Sequence, residues 1–138
     1  MPLVLDTGIL VALLDADDRH HDRCVALLDA SDDEPAVPVG TLAEIDYHLR
    51  KRRLLAGWTA LVDDIDRGAY RLVALDQVDL SRAAQLEVQY ADLGLGFVDA
   101  SVVATCERLG ETKLATLDRR HFSVVRPRHC EALTLLPA

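Results

Sequence analysis

Short apolar runs recur along the chain, and most are separated by longer segments in which apolar residues are spaced three or four positions apart. Runs of roughly four to eight apolar residues between turn-forming residues are typical of buried strands. Five runs predict strands, at residues 2–5, 36–39, 70–75, 113–117 and 132–136. Pro38 lies in the second run, which suits only a strand end or an edge strand.

The segments between these runs have the spacing of amphipathic helices. They predict helices over residues 9–14, 19–30, 42–53, 58–67, 79–92 and 97–109. Thr41 is placed to cap the third helix, Asp79 caps the fifth, and Gly110 ends the sixth. Gly57 either interrupts or starts the fourth helix. Repeated alternation of strand and helix predicts an α/β sandwich with a mostly parallel sheet.

The composition is that of a globular chain. Half of the 138 residues are apolar, enough for one hydrophobic core, so we expect a single domain over residues 1–138. The N-terminus lacks a signal-peptide pattern, and no apolar run approaches the roughly 20 residues that span a bilayer. We therefore expect a cytoplasmic protein without a membrane partner. Three scattered cysteines and five histidines without metal-ligand spacing argue against a disulfide framework and a zinc site.

The formal net charge of −8 argues against broad electrostatic binding of nucleic acid. The basic residues are nevertheless clustered. Residues 50–53 read RKRR, and a second group begins at Arg119 and Arg120. The simpler interpretation of the first cluster is a solvated helix C-terminus that the helix dipole favours. Local basic strips are thus expected on an acidic body.

Three acidic residues are conspicuous by position. Asp6 directly follows the first predicted strand and Asp118 directly follows the fourth. Asp99 shares a helix face with Val102 and Cys106, so its carboxylate is aimed into the fold. Sites in parallel sheets gather at the carboxyl ends of the strands, which Asp6 and Asp118 match. Helix capping is the simpler interpretation of Asp6 and Asp99. For Asp118 the simpler interpretation is a turn residue, a cap or an ion pair with a neighbouring arginine, and the residues alone leave these open.

Asp6 also begins the triplet Asp-Thr-Gly, which is found in the catalytic loops of aspartic proteases. A protease half of that class is nearly all strand, whereas here the triplet leads into a helical pattern, so we disfavour this interpretation. The residues alone do not identify a fourth acid of the site. Periodicity alone does not favour Glu44 over Asp46 in the third helix.

Four segments together resemble the PIN domain family, and more narrowly its VapC-type toxins of bacterial toxin–antitoxin pairs. They read LDTGILVALLDADDRHH, TLAEIDYHL, GFVDASVVATCERLG and LATLDRRHF, in that order along nearly the whole chain. No single segment is specific, but the set is. The resemblance implies a three-layer α/β/α sandwich with a mostly parallel sheet of about five short strands.

The resemblance also implies a function and its residues. The activity is that of a metal-dependent endoribonuclease that leaves 5′-phosphate and 3′-hydroxyl ends. The family's catalytic quartet falls on Asp6, Glu44, Asp99 and Asp118, of which Asp6, Asp99 and Asp118 are expected to hold the metal. Supporting hydroxyls fall on Thr7 and Thr116, and Gly8 stands where many members have a serine.

Cofactor and partners follow from the same resemblance. Carboxylate oxygens without a cysteine or histidine ligand select Mg²⁺ or Mn²⁺. The expected partners are a VapB-type antitoxin, a second copy of the chain in a homodimer or a larger assembly with antitoxin, and structured RNA such as transfer or ribosomal RNA. The candidate phosphate contacts are Arg50, Lys51, Arg52, Arg53, Arg119 and Arg120.

Two alternatives remain at this level. One is a PIN-like binding module that is catalytically silent, which the presence of all four acids disfavours. The other is an unrelated metal phosphatase on an α/β sheet. Aspartyl-nucleophile enzymes of that kind usually have a second acid two residues after the first, and that position is Gly8.

Overall fold

The computed structural model describes residues 1–138. Five short strands are β1 (Pro2–Leu5), β2 (Glu34–Pro38), β3 (Arg71–Val73), β4 (Lys113–Ala115) and β5 (Thr134–Leu136). Seven helices connect and cover them: α1 (Thr7–Leu14), α2 (His21–Ala30), α3 (Leu42–Lys51), α4 (Leu55–Asp66), α5 (Gln77–Gln89), α6 (Phe97–Leu109) and α7 (Arg119–Phe122). Single 3₁₀ turns occupy Val39–Thr41 and Ala91–Leu93.

The strands form one sheet in the order β3-β2-β1-β4-β5, and every neighbouring pair is parallel. Strand β1 lies at the centre, where Val4 pairs with Ala36 of β2 on one side and Leu114 of β4 on the other. The predicted α/β class and the five short strands are confirmed. The chain leaves β1 toward β2 in its first half and returns beside β1 as β4, so the carboxyl end of β1 is the switch point of the topology.

Alternate side chains of the strands enter two separate cores. Leu3 and Leu5 of β1 pack with α1, α3 and α4 on one face, while Val4 packs with α5 and α6 on the other. This division follows from strand geometry, because successive side chains point to opposite faces. Helices on both faces give the three-layer α/β/α sandwich that the resemblance implied. No helix combines the length and apolar character needed to cross a membrane.

Several predicted boundaries were wrong by a few residues. Helix α5 is capped by Asp76, whose carboxylate accepts from the Asp79 amide, while Asp79 completes a reciprocal capping box. Helix α5 therefore begins earlier than predicted, at Gln77, and β3 ends at Val73 rather than at residue 75. Thr41 precedes α3 but does not cap it with its side chain, since its hydroxyl donates to Pro38.

Gly57 lies inside α4 rather than interrupting it. A Cβ there would stand 3.4 Å from the Leu14 carbonyl oxygen at the end of α1. Gly57 thus packs against the end of α1, a contact between two helices that a pattern read along a single segment does not reveal.

Candidate active site

The four acids of the predicted quartet line one cleft, of about 690 Å³, at the carboxyl edge of the sheet. Asp6 follows β1 at the topological switch point. Glu44 is in the first turn of α3, Asp99 in the first turn of α6, and Asp118 follows β4 after two intervening residues. Asp6 and Asp118, which are 112 positions apart in the sequence, thus line the same cleft.

Asp6 is the most buried of the four, with 6% of its surface exposed. Its Oδ1 accepts from the Thr7 amide at 2.8 Å, and its Oδ2 accepts from the Thr116 hydroxyl at 2.9 Å. Burial above all, and then the nearby Asp99 carboxylate, raise the pKa of Asp6 to about 7, although both hydrogen bonds oppose the rise. Asp6 is also the N-cap of α1, so the capping role and a place in the site coexist.

Asp99 is partly buried beside the Asp118 carboxylate. Burial first, and then Asp118, raise the pKa of Asp99 to about 6, while His121 acts in the opposite direction. Its position depends on a close approach of α6 to the turn before α3. A Cβ on Gly40 would meet the Ser101 hydroxyl at 2.5 Å, so this contact needs a glycine.

Asp118 is tied to Asp6 through a shared threonine. The Asp118 amide donates to the Thr116 hydroxyl oxygen at 3.0 Å, and the same hydroxyl donates to Asp6. Asp118 in turn caps α7, because its Oδ1 accepts from the His121 amide at 3.2 Å. The loop after β4 therefore positions Asp118 through Thr116, whose hydroxyl is itself bonded to Asp6 at the end of β1.

Glu44 is chosen over Asp46 by the tertiary structure. The Thr7 hydroxyl donates to Glu44 Oε1 at 2.8 Å and so turns this carboxylate toward Asp6. Asp46 instead forms an exposed ion pair with Arg50 at 3.1 Å and does not line the cleft. The predicted supporting residues thus each contact two acids of the site: Thr7 contacts Asp6 and Glu44, and Thr116 contacts Asp6 and Asp118.

His121 is a site residue that the sequence reasoning missed. Its Nδ1 lies 2.7 Å from Asp118 Oδ2 and 3.8 Å from Asp99 Oδ2. The signal that pointed to it was the spacing of Asp118 and His121, which are three residues apart and so share one face of a helical turn.

Basic side chains also line the cleft, together with Asp18. They are Arg19, His20, His48 and Arg52, which we call the basic wall. Arg52 is fixed there by two ion pairs, since its Nη1 lies 2.8 Å from both Asp15 Oδ2 and Asp18 Oδ2. Its guanidinium remains partly exposed, with 39% of the side chain accessible.

Among the predicted phosphate contacts, only Arg52 lines this cleft. Arg50, Lys51 and Arg53 are exposed outside it, with Lys51 near the Tyr47 ring. Arg119 donates to the Pro137 carbonyl at 2.6 Å, and Arg120 is exposed next to it. Three of the basic-wall residues, Arg19, His20 and His48, had no signal in the sequence.

The donor set fits a divalent ion. The potential ligand atoms of Asp99, Asp118 and His121 all lie within 4.8 Å of one another. Burial above all, and then repulsion from a neighbouring carboxylate, raise the pKa values of Asp6 and Asp99. A cation would relieve this repulsion, which for two carboxylates about 4 Å apart amounts to about 4 kcal/mol at an effective dielectric near 20. Mostly oxygen donors favour Mg²⁺ or Mn²⁺.

Comparison with known proteins gives a consistent result. A family model described as "PIN domain" matches residues 3–126. "Ribonuclease VapC26" of Mycobacterium tuberculosis is 30% identical over 135 residues, which cover 98% of this chain and 100% of that protein.

Solved structures show the same fold. The M. tuberculosis VapC20 structure, described as a sarcin-ricin loop cleaving toxin, has a TM-score of 0.82 at 19% identity and covers 93% of this chain and 98% of its own. VapBC2 from Rickettsia felis, bound to a DNA fragment from its promoter, has a TM-score of 0.68 at 19% identity, covering 98% of this chain and 97% of the matched chain.

Proposed function

The chain belongs to the PIN domain family, and from that premise we propose that it is a divalent-metal-dependent endoribonuclease acting as the toxin of a type II toxin–antitoxin pair. The single observation that carries the proposal is the convergence of Asp6, Glu44, Asp99 and Asp118 on one cleft. Its substrate is structured RNA, transfer RNA or ribosomal RNA. The description of VapC20 as a sarcin-ricin loop cleaving toxin supports the ribosomal choice without excluding the other.

Each acid has a proposed role. Asp6, Asp99 and Asp118 hold Mg²⁺ or Mn²⁺ through their carboxylates. Glu44, oriented by the Thr7 hydroxyl, positions the attacking water or adds a further ligand. Thr116 orients both Asp6 and Asp118 and so sets the distance between them. A divalent ion bound among these carboxylates supplies a Lewis acid that makes water a better nucleophile and offsets charge on the phosphate.

The basic wall explains how an acidic protein receives RNA. A phosphate that enters the cleft meets both the four acids and Arg52, which line the same cavity. Because Asp15 and Asp18 already pair with Arg52, its guanidinium is held in place and little side-chain entropy is lost when phosphate binds. The net charge of −8 then weakens binding of RNA elsewhere, which favours targets shaped to reach the cleft.

The proposed partner is an antitoxin of the VapB type, and the toxin is proposed to form a homodimer or a larger assembly with it. The VapBC2 complex, with a similar fold, supports this choice. We further propose that residues 1–138 act as one PIN domain. Co-purification of the chain with the product of the adjacent gene, followed by loss of RNA cleavage in the complex, is the expected result.

Cleavage assays with Asp6→Asn and Asp99→Asn test the function. We expect each variant to lose RNA cleavage by at least about a hundredfold, a scale typical of removing one electrostatic contact to the reacting group. The matched control is Asp46→Asn, a half-buried acid on the same helix as Glu44 that lies outside the cleft, which should cleave normally. Full activity of Asp99→Asn would refute the assignment. Wild-type protein that binds Mn²⁺ but cuts no RNA would favour the silent binding module, and turnover of small phosphate esters alone would favour the phosphatase.

A further inference from the structure

One ring nitrogen of His121 lies close to the carboxylates of both Asp99 and Asp118. The same atom, Nδ1, is 2.7 Å from Asp118 Oδ2 and 3.8 Å from Asp99 Oδ2. Only 20% of the histidine side chain and 24% of the Asp99 side chain are exposed. The three donor atoms therefore face a common, partly enclosed space.

The spacing of these atoms suits the ligands of one ion. Two ligands on adjacent corners of an octahedron with metal–ligand bonds of about 2.1 Å lie roughly 3.0 Å apart, and opposite ligands lie roughly 4.2 Å apart. The 3.8 Å separation from Asp99 lies inside this range, and the 2.7 Å separation from Asp118 is a hydrogen-bond distance that would lengthen slightly if both atoms bound one ion.

The backbone of His121 is fixed from both sides. Its amide donates to Asp118 Oδ1, and the next residue, Phe122, is fully buried in the core beneath α5 and α6. The imidazole therefore does not depend on its ring contacts to stay at the site. A ligand that is placed in advance costs little ordering entropy when the ion binds.

We propose that His121 Nδ1 is a direct ligand of the divalent ion held by Asp99 and Asp118, and that this nitrogen makes the site prefer Mn²⁺ to Mg²⁺. The inference rests on the proposed function, because it concerns the same ion. Mg²⁺ is a hard cation that selects oxygen ligands, whereas transition-metal ions also accept imidazole nitrogen. A single nitrogen ligand thus raises the affinity for Mn²⁺ relative to Mg²⁺, two ions that an all-carboxylate site would bind similarly.

The rival arrangement is an ion pair in which His121 only contacts the two carboxylates and never reaches the metal. Pulsed electron paramagnetic resonance on the purified protein with Mn²⁺ distinguishes the two, because a directly bound imidazole nitrogen couples to the Mn²⁺ electron spin. Histidine labelled with ¹⁵N identifies the source of the coupling. We expect the ¹⁴N coupling in the wild-type protein and its replacement by ¹⁵N coupling in the labelled protein.

Variants and calorimetry complete the test. His121→Asn keeps a polar side chain but removes the nitrogen ligand. We expect it to lose the coupling and to bind Mn²⁺ at least about tenfold more weakly, the lower limit for disturbing the surroundings of a metal ligand, with Mg²⁺ affinity little changed. His48→Gln removes a histidine that lines the cleft outside the group of Asp99, Asp118 and His121, and it should keep the coupling.

The outcomes separate this inference from the function. Mn²⁺ bound without nitrogen coupling overturns the ligand assignment and leaves the endoribonuclease proposal intact. The same holds if His121→Asn weakens Mn²⁺ and Mg²⁺ binding equally. No detectable binding of either ion by the folded wild-type protein overturns both. The spectrum of the wild-type protein tests the ligand assignment by itself, so the test does not depend on whether the variant folds.

Discussion

The hydroxyl of Thr116 donates a 2.9 Å hydrogen bond to Oδ2 of Asp6, which joins the residue after β4 to the residue after β1. The same hydroxyl accepts from the Asp118 amide. One buried side chain, with 1% of its surface exposed, therefore sets the relative positions of two acids from different strands. This bond links the geometry of the sheet to the geometry of the site.

Removal of this hydroxyl should damage the site more than the fold. Thr116→Val keeps the shape of the side chain but leaves the Asp118 amide and Asp6 Oδ2 without a partner. We expect the free energy of unfolding to fall by about 1–3 kcal/mol, the usual cost of leaving a buried polar group unsatisfied, and RNA cleavage to fall by more than tenfold. Chemical denaturation and a cleavage assay give the two numbers.

Thr116→Ser is the matched control, because it restores the hydroxyl while removing one methyl group. It should recover most of the cleavage rate. Equal activity of the valine and serine variants would show that the bond from Thr116 to Asp6 does not position the acids.

The stability of the metal-free protein should depend on pH in a direction opposite to that of a typical acidic protein. Burial and the neighbouring Asp99 carboxylate raise the pKa of Asp6 from 3.8 to about 7, and burial and Asp118 raise that of Asp99 to about 6. Between the ordinary and the raised values, the folded protein binds more protons than the unfolded chain. The contribution of these acids to stability is therefore greatest below about pH 4 and is lost as pH rises toward 7.

Denaturation in the presence of a chelator, at several pH values between 4.5 and 7.5, measures this effect. The informative quantity is the difference between wild type and Asp6→Asn, since titrating groups that do not interact with Asp6 cancel in it. We expect the variant to become more stable relative to wild type as pH rises. Added Mn²⁺ should stabilise the wild-type protein more at pH 7.5 than at pH 5, and a pH-independent difference would contradict the raised pKa of Asp6.

Arg52 should contribute to RNA binding rather than to chemistry. Arg52→Gln removes a positive charge from the basic wall and leaves Asp15 and Asp18 unpaired near the incoming phosphate. We expect weaker RNA binding. The slope of the logarithm of the binding constant against the logarithm of the salt concentration should also be smaller by about one, as for the loss of one phosphate contact. Filter binding at several salt concentrations measures both.

The control for Arg52 is Arg67→Gln, which removes an exposed arginine paired with Asp64 outside the cleft. Its RNA affinity should stay close to that of the wild type. If both arginine variants lose affinity equally, the effect reflects net charge and not a contact in the cleft.

Gly40 should tolerate no side chain unless Ser101 is reduced in size. A Cβ at this position would lie 2.5 Å from the Ser101 hydroxyl and 3.3 Å from its Cβ. Gly40→Ala should therefore push the start of α6 outward and move Asp99, at a cost of about 1–3 kcal/mol in stability, as for other overpacked sites. Cleavage should fall with it.

The double variant Gly40→Ala with Ser101→Gly removes the contact and should recover both stability and cleavage relative to Gly40→Ala alone. Thermal unfolding of the four proteins in the cycle measures the coupling. Additive effects would mean that this contact does not hold α6 in place.

Much of the fold followed from local pattern. The alternation of strand and helix predicted a parallel α/β sandwich, and the structure confirms it with five parallel strands. The ends of helices were less well predicted. Asp76 is the N-cap of α5, and Asp79 completes the capping box. Either residue fits the sequence rule for an N-cap, because each accepts a hydrogen bond from the other's backbone amide.

The candidate site divided in the same way. The sequence by itself determined that Asp6 and Asp118 follow strands and that Asp99 faces inward, since inside and outside are encoded by the period of each element. Tertiary structure alone decided between Glu44 and Asp46, through a hydroxyl on Thr7, 37 residues away. It also brought His121 to Asp99 and Arg52 to Asp15. These contacts join elements distant in the chain, and local periodicity carries no information on which elements meet at one edge of the sheet.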